Sequence, residues 1–540
     1  MTSRNTIKEA VQKALLRLSA GDISFSVERA EKLEHGDYAT NAALLATKAL
    51  KKSPMEIAEQ LKSELGHSKE LEGFVGKIEF AKPGFVNFFL SQKFLQRSVG
   101  EVLKAKEKFG RGKSKEHINI EFISANPTGP LTLANGRGGF YGDALGNVLR
   151  FAGAKAEKEY YINDAGNQIR TLGDSVLASA GLVPKKEEHY QGGYIAPYAK
   201  EFSADLQKYA DDPEGLGKKV ASAILSREIK PSVKKVGIVF DRWTSEDSDI
   251  RKKGLVERAL QEFAKKGLTY EKEGAVWLKT SEFGDTEDRV LVKSEGKDYT
   301  YLAVDIAYHL EKWKRGFSKL ITIWGADHHG AVARLNAAMQ MFGKPEVHII
   351  LMQLVRLMEN GEEVRMSKRA GTYVTMDELL DEVGRDVARF FFLMREPNSH
   401  MDFDLTLAKE HSQKNPVFYV QYAYARLSNI LKTARERGDR KAKRDLSLLR
   451  KPEEFALIKM LLQFPELVED VARTYEVQRL PQYALPLAAA FHKFYDTTRV
   501  IDIDRNVSMA RLMLVQATKT VLENTLKLMG ISAPERLDRN

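Results

Sequence analysis

The period of hydrophobic and polar positions divides the chain into regions, and the first region mixes two patterns. Apolar residues recur at helical spacing near Thr6–Leu18 and in DYATNAALLATKAL. They then alternate with polar residues in KIEFAKPGFVNFFLS, as in two strands joined by a turn at Pro83-Gly84. The polar stretch KFGRGKSKEH follows as a linker. These patterns predict a small α+β domain over residues 1–112.

The middle of the chain alternates strand and helix patterns. HINIEFISANP has the pattern of a strand, GDALGNVLRFAGA that of a helix, and KEYYIND that of a second strand. This order is the first half of a doubly wound parallel sheet, in which ligands bind at the carboxyl ends of the strands. KLITIWGADHHG and VHIILMQLV indicate two further buried strands. We therefore predict an α/β fold, a Rossmann-type parallel sheet over residues 113–406 with a mixed insertion at about 171–295.

The last region is helical throughout. Apolar residues recur at spacings of three and four in NPVFYVQYAYARLSNIL, in FALIKMLLQFPELVEDVA and in ARLMLVQATKTVLENTLKLMG. This spacing predicts an all-helical bundle over residues 407–540.

Composition and charge narrow the function classes. The chain has 540 residues and a net charge of +10, so several domains and a polyanionic partner are expected, although a solubilising surface would also explain the charge. No apolar run is long enough to span a membrane, and the N-terminus lacks the apolar core of a secretory signal. The absence of cysteine excludes disulfides and Cys-based zinc sites. We expect a cytoplasmic protein without a membrane partner.

A glycine-rich helix start is the first candidate for binding chemistry. Gly138, Gly142 and Gly146 recur every fourth residue after PTGPLTLAN, which places them on one face of a helix. That face can approach either the sheet or a bound nucleotide, and the spacing leaves both possibilities open. The free N–H groups at the start of such a helix favour an anion.

A short basic loop is the second candidate. Arg365, Met366, Ser367 and Lys368 follow a predicted parallel strand on the side opposite the glycine-rich helix. A mobile lysine in a loop flanked by glycine can close over a polyphosphate. Together, the loop and the helix predict a site for a nucleoside triphosphate.

The motifs occur in an order that resembles one known family. SANPTGPLT, EYYINDAGNQI, YTYLAVDIAYHL, WGADHHG, RMSKRAG and RFFFLMREPNSHMDFDL are similar to blocks of the arginyl-tRNA synthetases, a class I aminoacyl-tRNA synthetase family. GDYATNAALL and PGFVNFFLS extend the match over nearly the whole chain. The resemblance implies ATP-dependent ligation of L-arginine to arginine tRNA through an arginyl-adenylate. It also implies that the central domain is catalytic, that the N-terminal domain meets the tRNA elbow and that the helical bundle binds the anticodon.

The chain departs from the family at the start of the glycine-rich helix. Where the family has His-x-Gly-His, this sequence has Thr132, Leu133, Ala134 and Asn135. Thr and Asn donate hydrogen bonds but carry no positive charge, and a charged donor is about twice as strong. Two hypotheses follow: an active variant, in which Lys368, backbone N–H groups and Mg²⁺ carry the charge, or a catalytically weakened relative that binds tRNA. We favour the active variant, because both replacements keep hydrogen-bonding capacity.

The resemblance also implies the residues of the catalytic and nucleotide sites. The catalytic residues would be Arg365, Ser367, Lys368, Thr132 and Asn135. The ATP site would comprise Thr132, Ala134, Asn135, Gly136, Gly138, Gly325, Asp327, Met366 and Lys368. Mg²⁺ would arrive with ATP and keep much of its water. The adjacent rings of His328 and His329 rarely point to one metal, so we expect no tightly bound protein metal.

A guanidinium substrate needs planar carboxylate acceptors that are buried and correctly aimed. Glu121 lies between apolar strand residues, where a charge without a partner is costly. Asp305 follows Tyr301 by four residues and shares its helical face. For each acid, a structural ion pair is the alternative interpretation. By resemblance, the arginine site would comprise Glu121, Ser124, Asn126, Tyr301, Asp305 and His328.

Aromatic residues suggest where tRNA would bind. Phe85 and Asn87 alternate on one predicted strand and could stack on and read an unpaired base, although Phe85 could equally belong to the core. In the helical bundle, Tyr422 and Arg426 are our candidates, and some of the neighbouring aromatic residues must be core. We expect a monomer, because each domain can close its own core.

Overall fold

The N-terminal region combines an antiparallel sheet with helices. In the computed structural model, which describes residues 2–295, 298–364, 374–437 and 442–537, this sheet has the strand order β1-β2-β4-β3. Its elements are α1 (Ser3–Arg17), β1 (Val27–Arg29), β2 (Tyr38–Thr40), α2 (Ala42–Leu45), α3 (Thr47–Leu50), α4 (Pro54–Gly66), β3 (Val75–Ala81), β4 (Phe85–Leu90) and α5 (Gln92–Ala105). α4 begins at a capping box, in which Ser53 and Glu56 each accept a hydrogen bond from the other's backbone N–H.

The central region is built on a parallel sheet. The strands of the whole central region are β5 (His117–Glu121), β6 (Lys155–Ile162), β7 (Arg242–Ser245), β8 (Thr269–Lys272), β9 (Ala275–Leu278), β10 (Arg289–Val292), β11 (Lys319–Gly325), β12 (His348–Met352), β13 (Val355–Glu359), β14 (Glu362–Glu363) and β15 (Met401–Asp404). The parallel strands have the order β12-β11-β5-β6-β7, with the chain crossing to either side of β5. The predicted Rossmann-type sheet is confirmed, and its topological switch point lies between β5 and β11.

The central region also contains helices. They are α6 (Leu133–Phe151), α7 (Asn167–Ser179), α8 (Ile195–Glu201), α9 (Pro213–Ile224), α10 (Lys230–Lys235), α11 (Leu255–Lys265), α12 (Tyr301–Lys314), α13 (His329–Met341), α14 (Met376–Val383), α15 (Arg385–Leu393) and α16 (Leu405–Ala408). Of these, α6 packs against β5, β6 and β11. Within the interval 171–295 the chain returns to the main sheet at β7, which pairs with β6. The sequence patterns did not predict this strand. β8, β9 and β10 form a separate antiparallel sheet.

The glycine face of α6 packs mainly against the sheet. A Cβ added at Gly142 would lie 2.3 Å from Cγ of Phe122, and one at Gly146 would lie 2.4 Å from Cε of Lys158. At Gly138 the nearest atom, of Ile323, would be 3.7 Å away, which leaves room beside the helix start. Gly142 and Gly146 therefore serve helix–sheet packing, while Gly138 borders open space.

The C-terminal region is a helical bundle, as predicted. Its helices are α17 (Pro416–Glu436), α18 (Pro452–Leu461), α19 (Phe464–Thr474), α20 (Arg479–Thr497) and α21 (Arg505–Met529). α5 packs against α18 and α21, so the N-terminal region is joined to this bundle. Among the described residues, no helix is long and apolar enough to cross a membrane.

Ion pairs fix the N-terminal region to α19. The Arg4 guanidinium donates to both carboxylate oxygens of Asp470, at 2.9 and 2.8 Å. Glu466 accepts hydrogen bonds from the Tyr38 hydroxyl at 2.7 Å and from the Arg29 guanidinium at 3.0 Å. Because Glu466 and Tyr38 are buried, this contact is well shielded from solvent.

Candidate active site

A cavity of about 970 Å³ opens at the carboxyl ends of β5, β11 and β12. Its wall includes the loop after β5, the start of α6 and the end of β11. Among the residues predicted from the sequence, it brings together Ser124, Asn126, Thr132, Ala134, Asn135, Gly138, Gly325, Asp327 and His328. The cavity thus lies where a doubly wound sheet binds its ligands.

Other predicted residues lie elsewhere. Gly136 faces Met376 of α14, whose sulfur would be 2.2 Å from an added Cβ. This glycine therefore allows close packing of α14 and does not line the cavity. The side chain of Tyr301, at the start of α12, is 63% exposed and is also absent from the cavity wall. Arg365, Met366, Ser367 and Lys368 lie outside the described residues.

At the start of α6 the side chains of Thr132 and Asn135 are bonded to each other. The Asn135 amide oxygen accepts hydrogen bonds from the Thr132 backbone N–H and from its hydroxyl, both at 2.9 Å. The amide oxygen is therefore committed, and the amide N–H groups remain as donors. Thr132 also forms an antiparallel backbone bridge with Thr375, the N-cap of α14. This bridge joins the start of α6 to the point where the segment after the basic loop enters α14.

The loop after β5 has an unusual backbone. Ile123 and Ser124 have φ angles of 66° and 40°, in the left-handed region that non-glycine residues rarely adopt. Such conformations cost about 1–3 kcal/mol each and persist only where the surroundings hold them. The Ser124 hydroxyl donates to Glu121 at 3.0 Å and accepts the Tyr161 backbone N–H at 3.1 Å. These bonds orient Ser124 in the cavity wall.

An acidic cluster lies behind Ser124. Glu121 is buried and paired with Lys312 at 2.5 Å, so for Glu121 the structural ion pair exists. Glu246 pairs with Arg251 at 2.7 Å and accepts the Tyr161 hydroxyl at 3.0 Å. Glu121 and Glu246 adjoin the cavity through their neighbours but do not line it.

Asp305 is the acid of this cluster that lacks a neutralising partner. Within the described ranges, its carboxylate has no hydrogen bond and no ion pair, although the side chain is half-buried. Withdrawal from solvent and the nearby carboxylates of Glu121 and Glu246 raise the pKa of Asp305 to about 8, against a smaller opposing effect of Lys312. The cluster is therefore able to accept one added cation.

Sequence reasoning missed residues that shape the cavity. Arg137, buried in α6, donates at 2.8 to 3.4 Å to the backbone carbonyls of Gln353, Leu354, Glu396 and Ser399. The Tyr194 hydroxyl donates to the Thr128 carbonyl at 2.7 Å and packs on Gly129 at the cavity wall. Arg137 lies between Gly136 and Gly138 in the sequence, and a long charged side chain among glycines was a signal for it. The sequence HYQGGYIAP contains no signal that Tyr194 lines the cavity.

The predicted nucleic-acid residues are found in different environments. Phe85 is 38% exposed and is not a core residue, whereas Asn87 is buried beside it. In the bundle, a second cavity of about 1260 Å³ is lined by Phe418, Tyr422, Arg426 and Tyr495, among others. The Arg426 guanidinium lies 4.0 Å from the ring centroid of Tyr495. Tyr424 is buried, so it is one of the neighbouring aromatic residues that belong to the core.

Comparisons with known proteins agree with this arrangement. The arginyl tRNA synthetase N terminal domain model matches residues 3–90, the tRNA synthetases class I (R) catalytic domain matches 98–404, and the DALR anticodon binding domain matches 420–537.

Full-length relatives and a solved structure show the same similarity. The arginine–tRNA ligase of Citrifermentans bemidjiense is 43% identical over 539 residues and 96% of both chains. That of Thermotoga petrophila is 42% identical over 549 residues, 99% of this chain and 100% of the relative. The Thermus thermophilus arginyl-tRNA synthetase structure superposes with a TM-score of 0.79 at 25% identity, covering 99% of this chain and 100% of that one. The chain belongs to the arginyl-tRNA synthetase family of class I tRNA synthetases.

Proposed function

We propose that the cavity at the carboxyl ends of β5, β11 and β12 is where this chain activates L-arginine with ATP and transfers it to arginine tRNA. The arginine carboxylate attacks the α-phosphorus in line, which gives arginyl-adenylate and releases pyrophosphate. A hydroxyl of the terminal adenosine of tRNA then takes the acyl group and releases AMP. The protein contributes positioning and electrostatic stabilisation. The observation that carries the proposal is Asp305, which has no ion-pair partner among the described residues and belongs to the acidic cluster behind Ser124 in the cavity wall.

The start of α6 and the basic loop would hold ATP. The Asn135 amide N–H groups and the backbone N–H groups of the first turn of α6 would donate to the phosphates, while Thr132 orients the Asn135 amide and Gly138 leaves space beside it. Gly325 and Asp327 would face the ribose. From the opposite side, Arg365, Met366, Ser367 and Lys368 would close over the phosphates. The charge of Lys368 would compensate for the missing imidazoles.

Mg²⁺ would arrive with ATP and neutralise part of the triphosphate charge. In the part of the chain that the structure describes, no group of three or more His, Asp or Glu side chains could hold a metal ion. A magnesium ion that arrives with ATP is bound mainly by phosphate oxygens and water. We propose no separate protein-bound metal.

The arginine side chain would extend past Ser124 to the acidic cluster. Asp305 would accept the guanidinium, with Glu121 beside it and Tyr301 and His328 at the edges. Ser124 and Asn126, which line the cavity, would hold the α-amino end. An uncharged competitor leaves Asp305 without a partner, so the pocket selects for a cation.

The tRNA would contact the outer domains. Phe85 presents an exposed ring in the N-terminal region, where the elbow would bind, and Tyr422 and Arg426 line the basic cavity of the helical bundle, where the anticodon would bind. The buried amide of Asn87 would have to become accessible to read a base. The net charge of +10 suits a polyanion. We further propose a monomer located in the cytoplasm.

The activity is tested by arginine-dependent pyrophosphate exchange and tRNA charging. Lys368→Ala should lower pyrophosphate exchange by about 10²–10³-fold, because it removes a charge that stabilises the transition state. Lys443→Ala, which removes an exposed lysine of the helical bundle, is the matched control and should leave exchange unchanged. A wild-type protein that binds tRNA without charging it would support the second hypothesis, a weakened relative. The relatives that share 42–43% identity and the ligase name argue against that outcome.

Arginine binding should release a proton at neutral pH. At pH 7 the raised pKa of Asp305 keeps its carboxyl mostly protonated, and a bound guanidinium, which stays charged, lowers that pKa. Arginine affinity should therefore improve about tenfold per pH unit as pH rises towards 8, and then level off. Calorimetry in buffers of different ionisation enthalpy measures the proton count. Release that does not decline above pH 8 would contradict the assignment to Asp305.

A further inference from the structure

A fully buried ammonium group lies close to the substrate site but does not line it. Lys312, on α12, has no exposed side-chain surface, and its Nζ lies 2.5 Å from Oε2 of Glu121 and 4.2 Å from the ring centroid of Tyr308. Burying a lysine is costly unless its charge is compensated. Because Lys312 is absent from the cavity wall, direct contact with ATP is not its role.

Hydrogen bonds connect this lysine to the cavity. Lys312 donates to one carboxylate oxygen of Glu121, and the other oxygen accepts the Ser124 hydroxyl at 3.0 Å. The Ser124 oxygen accepts the Tyr161 backbone N–H, so Ser124 is held from both sides. Ile123 and Ser124 have left-handed backbones at this point, and a strained turn needs such external bonds to keep its shape.

We propose that Lys312 is a positioning residue for arginine: through Glu121, it holds the Ser124 hydroxyl and the left-handed turn after β5 in the geometry that the substrate requires. The inference rests on the proposed function, in which Ser124 and Asn126 hold the α-amino end of arginine. Lys312 acts from behind the cavity wall, and its contribution appears in arginine binding rather than in ATP binding.

A purely structural ion pair is the competing explanation, and the same sheet offers a matched control. Lys158 is also buried and donates to Asp143 at 2.7 Å, but it lies on the face of the sheet that packs against α6. Its bonds to Asp143 and Asn147 do not lead to the cavity wall. Lys158→Met thus removes a comparable buried charge without disturbing Ser124.

The first experiment compares Michaelis constants in pyrophosphate exchange. Lys312→Met should raise the KM for arginine about tenfold, the loss expected for a charge-assisted hydrogen bond, and should change the KM for ATP less than about twofold. Lys312→Gln should have a smaller effect, because its amide can still donate to Glu121. Lys158→Met should lower Tm without changing the KM for arginine. Parallel rises in both Michaelis constants for Lys312→Met would overturn the proposal.

A double-mutant cycle with Ser124→Ala tests the connection itself. Ser124→Ala should raise the KM for arginine severalfold in the wild type and add little in the Lys312→Met background, because both substitutions break the same chain of bonds. Multiplicative effects would overturn the proposal. If Lys312→Met does not fold, Lys312→Gln serves in the same cycle. A wild-type protein that does not activate arginine would refute the proposed function. Calorimetry of arginine binding tests the present inference separately, because it compares arginine affinity between wild type and the Lys312 variants without requiring activation.

Discussion

Asp305→Asn should lower kcat/KM for arginine by about 10³–10⁴-fold, because the proposed site binds the arginine guanidinium through the Asp305 carboxylate and the substitution removes that negative charge. The amide keeps the shape of the carboxyl group but presents an N–H where the guanidinium needs an acceptor. Glu121 cannot replace it, since its carboxylate is already engaged by Lys312 and Ser124. Arginine-dependent pyrophosphate exchange measures the loss.

Stability should respond differently to the same substitution. At pH 7 the Asp305 carboxyl is mostly protonated and uncharged, so an amide is a close substitute in the free protein. Tm should therefore stay near the wild-type value, which separates loss of function from loss of folding. Glu311→Gln, on the same helix, is the control and should retain full exchange. An Asp305→Asn protein that activates arginine normally would remove Asp305 from the site.

Arg137→Met should destabilise the central region by about 3–5 kcal/mol, the largest stability effect that we expect. The substitution removes the donor shared by the carbonyls of Gln353, Leu354, Glu396 and Ser399 and leaves buried acceptors without partners. Because Gln353 and Leu354 line the cavity, the KM for ATP should also rise. Thermal unfolding and exchange kinetics measure the two effects.

The control for Arg137 is Arg356, an exposed arginine on β13. Arg356 pairs with Asp402 at 2.8 Å, but both side chains are about half exposed. Arg356→Met should cost no more than about 1 kcal/mol, the usual value for a surface pair. Equal losses in the two variants would show that the buried carbonyl contacts of Arg137 add no special stability.

Periodicity alone predicted much of the fold. The alternation of strand and helix patterns located β5, α6, β6, β11 and β12, and most of their apolar residues are buried. It missed β7 because RWTS is short and partly polar, as an edge strand can be. Spacing also predicted a close contact for the glycines of α6. The spacing could not show whether these glycines contact the sheet or a bound ligand, because that depends on which residues lie opposite the glycine face in the fold.

The site was harder to predict, because its side chains act through distant partners. Glu121 and Lys312 lie 191 positions apart, so the sequence could show the acid but not the cation that engages it. The sequence indicates Thr132 and Asn135 as separate donors, but their spacing of three is also that of a capping box, and in the structure they bond to each other. The residues of the basic loop, at 365–368, remain a prediction.

The contact between the N-terminal region and α19 has a consequence for substrate selection. Arg4, Arg29 and Tyr38 are bonded to side chains of α19, a helix of the same bundle that carries Tyr422 on α17. The separation between Phe85 and Tyr422 is therefore set by the enzyme and not by the nucleic acid. If Phe85 and Tyr422 contact tRNA as proposed, a tRNA whose corner and anticodon loop are spaced differently must bend or lose one of these contacts, and overall tRNA length is itself a criterion of recognition.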